Sequence, residues 1–430
     1  MTQLPAIFTE NTRLLMGAER FERYLQSFEE DTPVSIRLNP RKMADGKWLM
    51  EDVEPVPWCR DGYYLKQRPN FTMDPLFHAG CYYVQEAASM FLDEVLRQIF
   101  RENTLNALDL CAAPGGKSTL LRAALPTDCV LYSNEPIHNR ASILLENVEK
   151  WGYPNHIVTN AYPRDYRKAK MKFDLILCDV PCSGEGMFRK DEATIREWSP
   201  QNVEKCWQLQ RDIVSDAWGC LNDGGILIYS TCTFNTKENE ENIRWLLSEF
   251  DDAEVLPIDT KPEWHITGSL LEGFHEPVYR FIPGISRGEG LFLCVIRKAN
   301  VECGMRNEKW SPSRLLNEEC GMRNGRIRRL INEELRIQHS NIAAKRESFN
   351  TPHSTLHIEV SYAEAMKFLR GEALILPPDT PRGIVEVCFM GHPLGCVKNI
   401  GSRANNLYPK PWRIKTTHIP TDYEAILRHT

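Results

Sequence analysis

Two cysteines lie in polar turns where a nucleophile could act. Cys182 closes the turn DVPC, and Cys232 closes the turn STC further along the chain. A single cysteine is most often a small buried hydrophobe. Two thiols in polar turns, beside Asp179 and Lys117, favour nucleophilic chemistry instead, because a neighbouring cation lowers the pKa of a thiol.

A second group of residues predicts a site for a small ligand. The stretch ALDLCAAPGGKST (107–119) reads as an apolar strand, a glycine-rich turn and a helix. Gly115 and Gly116 permit close backbone approach to a ligand, whereas Cys111 stands where a phosphate-binding loop would need glycine. Glu135 ends the next strand, where a carboxylate can bind both ribose hydroxyls. The two features together indicate a nucleoside-containing cofactor, either a dinucleotide or S-adenosylmethionine.

These groups follow strands of a predicted parallel sheet. From about residue 80 to 300 the chain alternates strand and helix patterns, which is typical of a doubly wound α/β domain. Ligands of such domains bind beyond the carboxyl ends of the strands. Asn235, with Glu238 three residues later, predicts a helix start. The predicted strands are LNALDLC (105–111), CVLYSNE (129–135), IVTN (157–160), FDLILCD (173–179), GGILIYSTC (224–232) and LFLCVIRK (291–298), the last closing the sheet. Nicotinamide and flavin chemistry need no pair of thiols at neighbouring strand ends.

On these motifs the chain resembles the Sun/nucleolar-type RNA cytosine-C5 methyltransferases, in the bacterial ribosomal-RNA branch. The resemblance covers most of the chain and implies a Rossmann-like S-adenosylmethionine methyltransferase domain. It also implies a small N-terminal α+β domain and a C-terminal β-rich, PUA-like module. The segments that carry it are IRLNPRK (36–42), HAGCYYVQEAAS (78–89), LDLCAAPGGKST (108–119), SNE followed by Arg140, FDLILCDVPCSGEGMFRKD (173–191), ILIYSTCTFNTKENEENI (226–243), RGEGLF (287–292) and LYPKPWRI (407–414).

The resemblance implies a role for each matched residue. Cys232 would be the nucleophile that adds to C6 of cytosine, and Cys182 would assist release of the methylated product. Addition at C6 makes C5 an enamine carbon that can attack a methyl sulfonium. Asp179 would lie beside cofactor and base, hydrogen-bonding the ring when protonated, and Lys117 belongs to the same site. The residues that would hold S-adenosylmethionine are Cys111, Ala112, Ala113, Pro114, Gly115, Gly116, Lys117, Glu135 (on the ribose), Arg140, Asn160 and Asp179.

Two positions depart from the family pattern. The family often has an aspartate near residue 162 to hold adenine, but here Tyr162 stands there and Asn160 is the nearest amide. We expect Asn160 to take its place. Val180 replaces the usual alanine of the DAPC turn, a small change that should leave the turn intact.

Charge and composition limit the class of partner. The formal net charge is −6, so indiscriminate binding of nucleic acid is not expected. Local basic patches flank family motifs, and we expect RNA contact from some of Arg37, Lys42, Arg189 and Lys190. The substrate is then an RNA chosen by shape, such as ribosomal RNA or the small ribosomal subunit.

The chain divides into four predicted segments. Residues 1–75 form a small N-terminal RNA-binding α+β domain and 76–300 the methyltransferase domain, followed by a helical linker (301–350) and a β-rich PUA-like RNA-binding module (351–430). The linker carries ECGMRN twice. No apolar run is long enough to span a membrane. Fourteen scattered cysteines without CxxC pairs or zinc spacing predict a cytoplasmic protein with no metal, and we expect a monomer.

Other functions remain open at this point. A tRNA cytosine-C5 methyltransferase would share every motif, since the choice of ribosomal RNA rests on the resemblance alone. A non-catalytic RNA-binding ribosome assembly factor is favoured only by Tyr162. A DNA cytosine methylase shares the chemistry but has its nucleophile in the PC turn, whereas both turns are present here.

Overall fold

A computed structural model describes residues 3–44, 48–99, 106–300, 356–416, 423 and 425–429. The predicted helical linker, with both ECGMRN copies, lies outside these residues. The helices are α1 (Ala6–Met16), α2 (Ala18–Gln26), α3 (Pro75–His78), α4 (Phe91–Ile99), α5 (Gly116–Ala124), α6 (His138–Trp151), α7 (Pro163–Lys168), α8 (Glu192–Glu197), α9 (Pro200–Cys220), α10 (Glu240–Glu249) and α11 (Tyr362–Leu369).

The strands form three larger sheets and one small pair. In chain order they are β1 (Val34–Leu38), β2 (Trp48–Leu49), β3 (Val53–Pro55), β4 (Gly62–Leu65), β5 (Tyr82–Val84), β6 (Asn106–Asp109), β7 (Val130–Asn134), β8 (His156–Thr159), β9 (Phe173–Asp179), β10 (Leu221–Thr231), β11 (Ala253–Val255), β12 (Tyr279–Phe281), β13 (Leu291–Lys298), β14 (His357–Glu359), β15 (Gly383–Phe389), β16 (His392–Asn399), β17 (Ala404–Asn406) and β18 (Arg428–His429).

The central sheet has the predicted doubly wound architecture. Its order is β11-β13-β10-β9-β6-β7-β8, with β12 also paired to β13, and the five strands from β10 to β8 are parallel. The chain winds outward from β6 through β7 to β8 and then crosses to β9 and β10. The strand order therefore reverses between β6 and β9, which is where such sheets bind ligands.

Apolar runs explain why these strands lie at the centre. In β9, Phe173 and the run 175–178 are completely buried, as expected of a parallel strand covered on both faces. Strand β13 pairs antiparallel with β10. It does not close the sheet as predicted, because β11 pairs with its outer edge.

The helix after Cys232 begins later than the sequence predicts. It starts at Glu240, with Asn239 as the residue before it. Asn235 and Glu238 do bond to each other, since the Glu238 amide donates to Asn235 Oδ1 at 2.9 Å, but they hold a turn rather than the first turn of the helix.

The N-terminal and C-terminal segments pack around one apolar core. The N-terminal sheet has the order β3-β4-β1-β5 and the C-terminal sheet the order β14-β15-β16-β17. Ile36 of β1 and Leu76 of α3 belong to the same buried cluster as Phe368 of α11 and Val387 of β15. Tyr82 and Tyr423 both donate hydrogen bonds to the buried Asp74 carboxylate, at 2.6 and 2.8 Å.

Candidate active site

The two cysteine turns emerge side by side from the central sheet. Strands β9 and β10 are parallel neighbours, and Asp179 lies opposite Ser230 in their register. The turns that follow bring Cys182 Sγ to 3.2 Å from Cys232 Sγ. The Cys232 amide also faces Cys182 Sγ at 3.4 Å. The structure thus joins the two thiols that the motifs single out.

A half-buried cation interacts electrostatically with Cys232. Lys117 Nζ donates to Asp179 Oδ2 at 2.8 Å, and Ser230 Oγ donates to Asp179 Oδ1 at 2.6 Å. Burial alone would lower the pKa of Lys117, but the charge and hydrogen bond of Asp179, with a further contribution from Cys232, raise it above its usual value. Lys117 is therefore a fixed positive charge within electrostatic reach of Cys232.

The environment of Cys182 favours the neutral thiol. Its pKa is raised well above the usual value, first by the hydrogen bond with Cys232, then by burial and by the charges of Cys232 and Glu238. Cys182 is therefore a thiol that can donate its proton toward Cys232 Sγ. The pair is suited to one nucleophile and one proton-carrying neighbour.

Glu185 in the first turn fixes the backbone of the second turn. Its Oε2 accepts hydrogen bonds from Thr233 Oγ1 at 2.6 Å, from the Phe234 amide at 2.8 Å and from the Asn235 amide at 2.9 Å. Its Oε1 accepts from Trp198 Nε1 at 3.0 Å. The carboxylate is buried, so water cannot replace it as the acceptor for these donors.

Glu238 makes the converse connection. Its Oε2 accepts from the Ser183 amide at 3.0 Å and from Gln210 Nε2 at 2.7 Å, and its Oε1 accepts from Asn235 Nδ2 at 2.8 Å. Burial raises the pKa of Glu238. Each cysteine turn is thus held by a carboxylate from the other, an arrangement that we call the reciprocal clamp (Glu185 and Glu238).

Close glycine packing completes the thiol site. The Gly186 amide donates to the Cys232 carbonyl at 2.7 Å. A Cβ on Gly186 would lie 2.6 Å from that carbonyl oxygen and 2.7 Å from Gly290 Cα. Sequence reasoning gave no role to Gly186, Gly290 or Glu185 and read Glu238 only as a helix signal. The available signal was their place inside the segments CSGEG, KENE and RGEG.

The glycine-rich turn after β6 has the shape of a cofactor cradle. Gly115 has a φ of +115°, and a Cβ there would lie 3.2 Å from Leu144 Cδ1. Helix α5 begins at Gly116, so its first amides and positive dipole end face the turn. Burial raises the pKa of Cys111 well above its usual value, so it remains a thiol.

Glu135 lies where the ribose acid is expected. Its side chain is buried, and its Oε1 accepts from the Ile137 amide at 2.9 Å. Arg140 forms an ion pair with Oε2 at 3.2 Å and donates to the Ala113 carbonyl at 3.1 Å. Arg140 thereby links the strand-end acid to the glycine-rich turn.

The residues after β8 lie next to this acid. Asn160 Nδ2 donates to the Glu135 carbonyl at 2.7 Å, which anchors its side chain beside the expected ribose position. Tyr162 precedes α7 and is 56% exposed, with Arg164 over its ring. Cradle, buried acid and anchored amide together fit S-adenosylmethionine.

The substituted turn residue and the basic residues have clear positions. Val180 is buried, and its amide donates to the Ser230 carbonyl at 3.0 Å, so the turn keeps its attachment to β10. The expected RNA contact is wrong for Arg37 and Arg189. Arg37 is only 2% exposed, and Arg189 is buried in an ion pair with Glu289.

Lys42 and Lys190 differ from these two. Lys42 Nζ donates to the carbonyls of Ala79 and Lys150, while Lys190 is exposed.

Among the described residues, no group of three or more His, Cys, Asp or Glu is arranged to hold a metal ion. None of the helices described is long and apolar enough to cross a membrane.

Family models match three parts of the chain. The model "16S rRNA methyltransferase RsmB/F" matches residues 98–297, the N-terminal domain of 16S rRNA methyltransferase RsmF matches 4–87, and the methyltransferase RsmF PUA domain matches 355–414. The chain belongs to the RsmB/F methyltransferase family. The resemblance seen in the motifs is confirmed, and this RsmB/F member is an S-adenosylmethionine-dependent RNA methyltransferase.

Named relatives support the same assignment. "Ribosomal RNA small subunit methyltransferase F" of Erwinia tasmaniensis is 28% identical, over 94% of this chain and 96% of the relative. The protein of that name from Pectobacterium atrosepticum is 33% identical, over 69% of this chain and 63% of the relative.

Solved structures share the fold. A methyltransferase homologue from Pyrococcus horikoshii is 28% identical, with a TM-score of 0.56 over 68% of this chain and 94% of that one. NSun6 from the same organism, determined with SFG, has a TM-score of 0.55 over 69% of this chain and 98% of that one. At 19% identity it supports the fold alone.

Proposed function

We propose that this RsmB/F member methylates C5 of cytosine in small-subunit ribosomal RNA, with Cys232 as the nucleophile and Cys182 assisting product release. The observation that supports it most is the 3.2 Å separation of the two thiols beside Lys117. The relatives named above, which are ribosomal RNA small subunit methyltransferases, support the substrate.

The chain's own residues account for cofactor binding. Residues 111–117 would hold S-adenosylmethionine and Glu135 would bind its ribose hydroxyls, while Arg140 and Asn160 hold Glu135 in place. When bound, S-adenosylmethionine supplies an electrophilic methyl group. Because Cys111 stays a neutral thiol, it adds no charge next to the cofactor.

The thiols divide the covalent work. The thiolate of Cys232 forms a bond to C6 of cytosine, and the ring electrons make C5 nucleophilic. After methyl transfer the C5 proton passes to water, and the electron pair of the broken C5–H bond expels Cys232 as a thiolate. Cys182, held as a thiol, donates a hydrogen bond to the departing Cys232 sulfur as the bond to C6 breaks.

Asp179 orients the base in this scheme. The sequence analysis expects Asp179 to hydrogen-bond the ring when protonated, whereas in the structure its two oxygens accept hydrogen bonds from Lys117 and Ser230. A carboxylate accepts a hydrogen bond from the exocyclic amine of cytosine. The base must leave its stack to reach this position, as in a loop or a flipped nucleotide.

The finer features of the partner are also part of the proposal. We take the protein to act as a monomer in the cytoplasm, without a metal, on ribosomal RNA or a small ribosomal subunit. The C-terminal segment, which matches the methyltransferase RsmF PUA domain, would contribute to RNA binding.

Nucleoside analysis tests the proposal. The full-length protein is incubated with methyl-labelled S-adenosylmethionine and, separately, 16S ribosomal RNA, small ribosomal subunits and tRNA, and the RNA is digested to nucleosides. We expect label in 5-methylcytidine from ribosomal RNA or subunits, and none with Cys232→Ser. Label in another nucleoside, or in tRNA only, would contradict the proposal.

A further inference from the structure

The motif IRLNPRK connects two domains. Arg37, at the centre of β1, lies under the ring of Trp151 at 4.5 Å, on the last turn of α6. Its Nε donates to Gln85 Oε1 at 2.8 Å. Its NH2 donates to Thr119 Oγ1 at 2.7 Å and to the Gly116 carbonyl at 3.3 Å, both in α5. The guanidinium of Arg37 therefore connects the N-terminal sheet to α5, the helix that follows the cofactor turn.

Thr119 carries this contact into the turn itself. Its hydroxyl accepts from Arg37 and donates to the Gly115 carbonyl at 2.8 Å, with the Gly116 carbonyl at 3.1 Å. Thr119 is completely buried. The residue with positive φ that shapes the cradle is thus held by a hydroxyl that Arg37 orients.

A second brace reaches the same turn from the N-terminal sheet. Asn147 Nδ2 donates to the Pro114 carbonyl at 2.8 Å and faces Tyr83 OH, on β5, at 3.4 Å. Asn39 Nδ2 donates to the Trp151 carbonyl at 2.9 Å, and Lys42 to the Lys150 carbonyl at 2.6 Å. These contacts fasten the N-terminal sheet to α6, which packs against the cradle through Leu144.

We propose that Arg37 and Thr119 are positioning residues for the cofactor turn, so that affinity for S-adenosylmethionine depends on the N-terminal domain. This inference rests on the proposed placement of the cofactor at residues 111–117. Arg37 acts from behind the turn, through Thr119 and Gly116, and touches neither cofactor nor RNA. The motif that the sequence associates with RNA thereby serves the cofactor.

Calorimetric titration of the RNA-free, full-length protein with S-adenosylmethionine tests the proposal. Thr119→Val removes the hydroxyl at constant volume, and we expect the Kd to rise at least fivefold. Thr119→Ser keeps the hydroxyl and should stay within twofold of the wild type. Arg37→Lys should weaken binding at least as much as Thr119→Val. Arg41→Gln is the matched control, because Arg41 belongs to the same motif but is exposed.

Two further readouts separate positioning from general destabilisation. In Thr119→Val, hydrogen exchange should accelerate at the amides of residues 115–117 and stay unchanged in β13. The KM for S-adenosylmethionine should rise while kcat and the Kd for RNA keep their wild-type values. A Thr119→Val protein that binds cofactor and exchanges like the wild type would overturn the inference, as would Arg37→Lys weakening RNA binding alone.

Glu135→Ala distinguishes failure of this inference from failure of the proposed site. If Glu135→Ala weakens cofactor binding but Thr119→Val does not, the positioning role is wrong and the cofactor placement stands. If Glu135→Ala leaves the Kd unchanged, the cofactor lies elsewhere, and both are wrong.

Discussion

At the scale of single residues, the thiol site depends on where one positive charge lies. Lys117 faces Asp179 and Cys232, while Cys182 faces Cys232 and the negative Glu238. Because opposite charge favours ionisation and like charge opposes it, the surroundings of the two thiols differ although their sulfurs are 3.2 Å apart.

Replacing the cation should change the reactivity of the nucleophile. In a Cys182→Ala background, Lys117→Met removes a positive charge that interacts with Cys232, so the thiolate should form less readily. The pH midpoint for alkylation of Cys232 by iodoacetamide, followed by mass spectrometry, should move to higher pH by about one unit or more. Lys117→Arg keeps a cation and should move it much less. An unchanged midpoint in Lys117→Met would show that Lys117 does not act on Cys232.

Residue types alone allowed part of this site to be predicted. Cys182, Cys232, Lys117 and Asp179 stand out because thiols, a cation and an acid follow strand ends. Protonation states could not be predicted, because they depend on distances between turns. The burial of Arg37 could not be predicted from the sequence either, since an arginine in a basic segment is usually solvated.

At the scale of elements, the reciprocal clamp holds the two turns together. Sequence patterns identified the parallel strands because their apolar runs are long and end in polar turns. They missed β11 and β12, which have three residues each and carry little periodicity. They also began α10 too early, because Asn235 and Glu238 have the composition of a helix cap but serve the neighbouring turn.

Removing one charge of the clamp should misplace Cys232 without removing any reacting group. The Glu185 carboxylate accepts five hydrogen bonds. In Glu185→Gln the side-chain NH2 group cannot accept, so some of these buried donors lose their acceptor. We expect a loss of about 1–3 kcal/mol in unfolding free energy, measured by urea denaturation, and a fall in kcat of about 100-fold with little change in cofactor Kd.

Glu192→Gln is the control for this change. Glu192 lies in α8 with its side chain 79% exposed, so its substitution should alter neither stability nor kcat. Wild-type kcat in a folded Glu185→Gln protein would show that the clamp does not position the nucleophile.

At the scale of the whole molecule, segments that are far apart in the sequence pack together, and amino-acid composition does not indicate this. The N-terminal and C-terminal sheets pack in one core, and Tyr423 reaches the buried Asp74. The sequence predicts separate segments, because linkers and composition shifts are local signals. Contacts between residues hundreds of positions apart have no such signal.

Two histidines with lowered pKa values should make the folding stability of the protein decrease in acid. Burial, with smaller contributions from Lys150 and Arg122, lowers the pKa of His78 and of His156 to about 3, against about 6.5 when unfolded. The unfolded chain therefore binds protons first, and stability that is complete above pH 6.5 falls as the pH drops toward 3. Urea midpoints should decrease from pH 7 to pH 5.

His156→Gln should make this decrease shallower. Gln retains a hydrogen-bonding group for Ser133, which His156 Nε2 contacts at 2.8 Å, but it does not titrate. A change of urea midpoint between pH 7 and pH 5 as large as that of the wild type would exclude His156 as a source of the acid sensitivity.

Covalent trapping tests the central claim that Cys232 attacks the base and Cys182 assists its release. Cys182→Ala is incubated with S-adenosylmethionine and labelled small-subunit RNA and resolved on a denaturing gel, beside the Cys182→Ala/Cys232→Ala double variant. We predict a covalent RNA–protein band in the single variant that is absent from the double variant. If the wild type transfers methyl groups but the single variant traps no RNA, or if the double variant still traps it, the roles given to the two thiols are wrong.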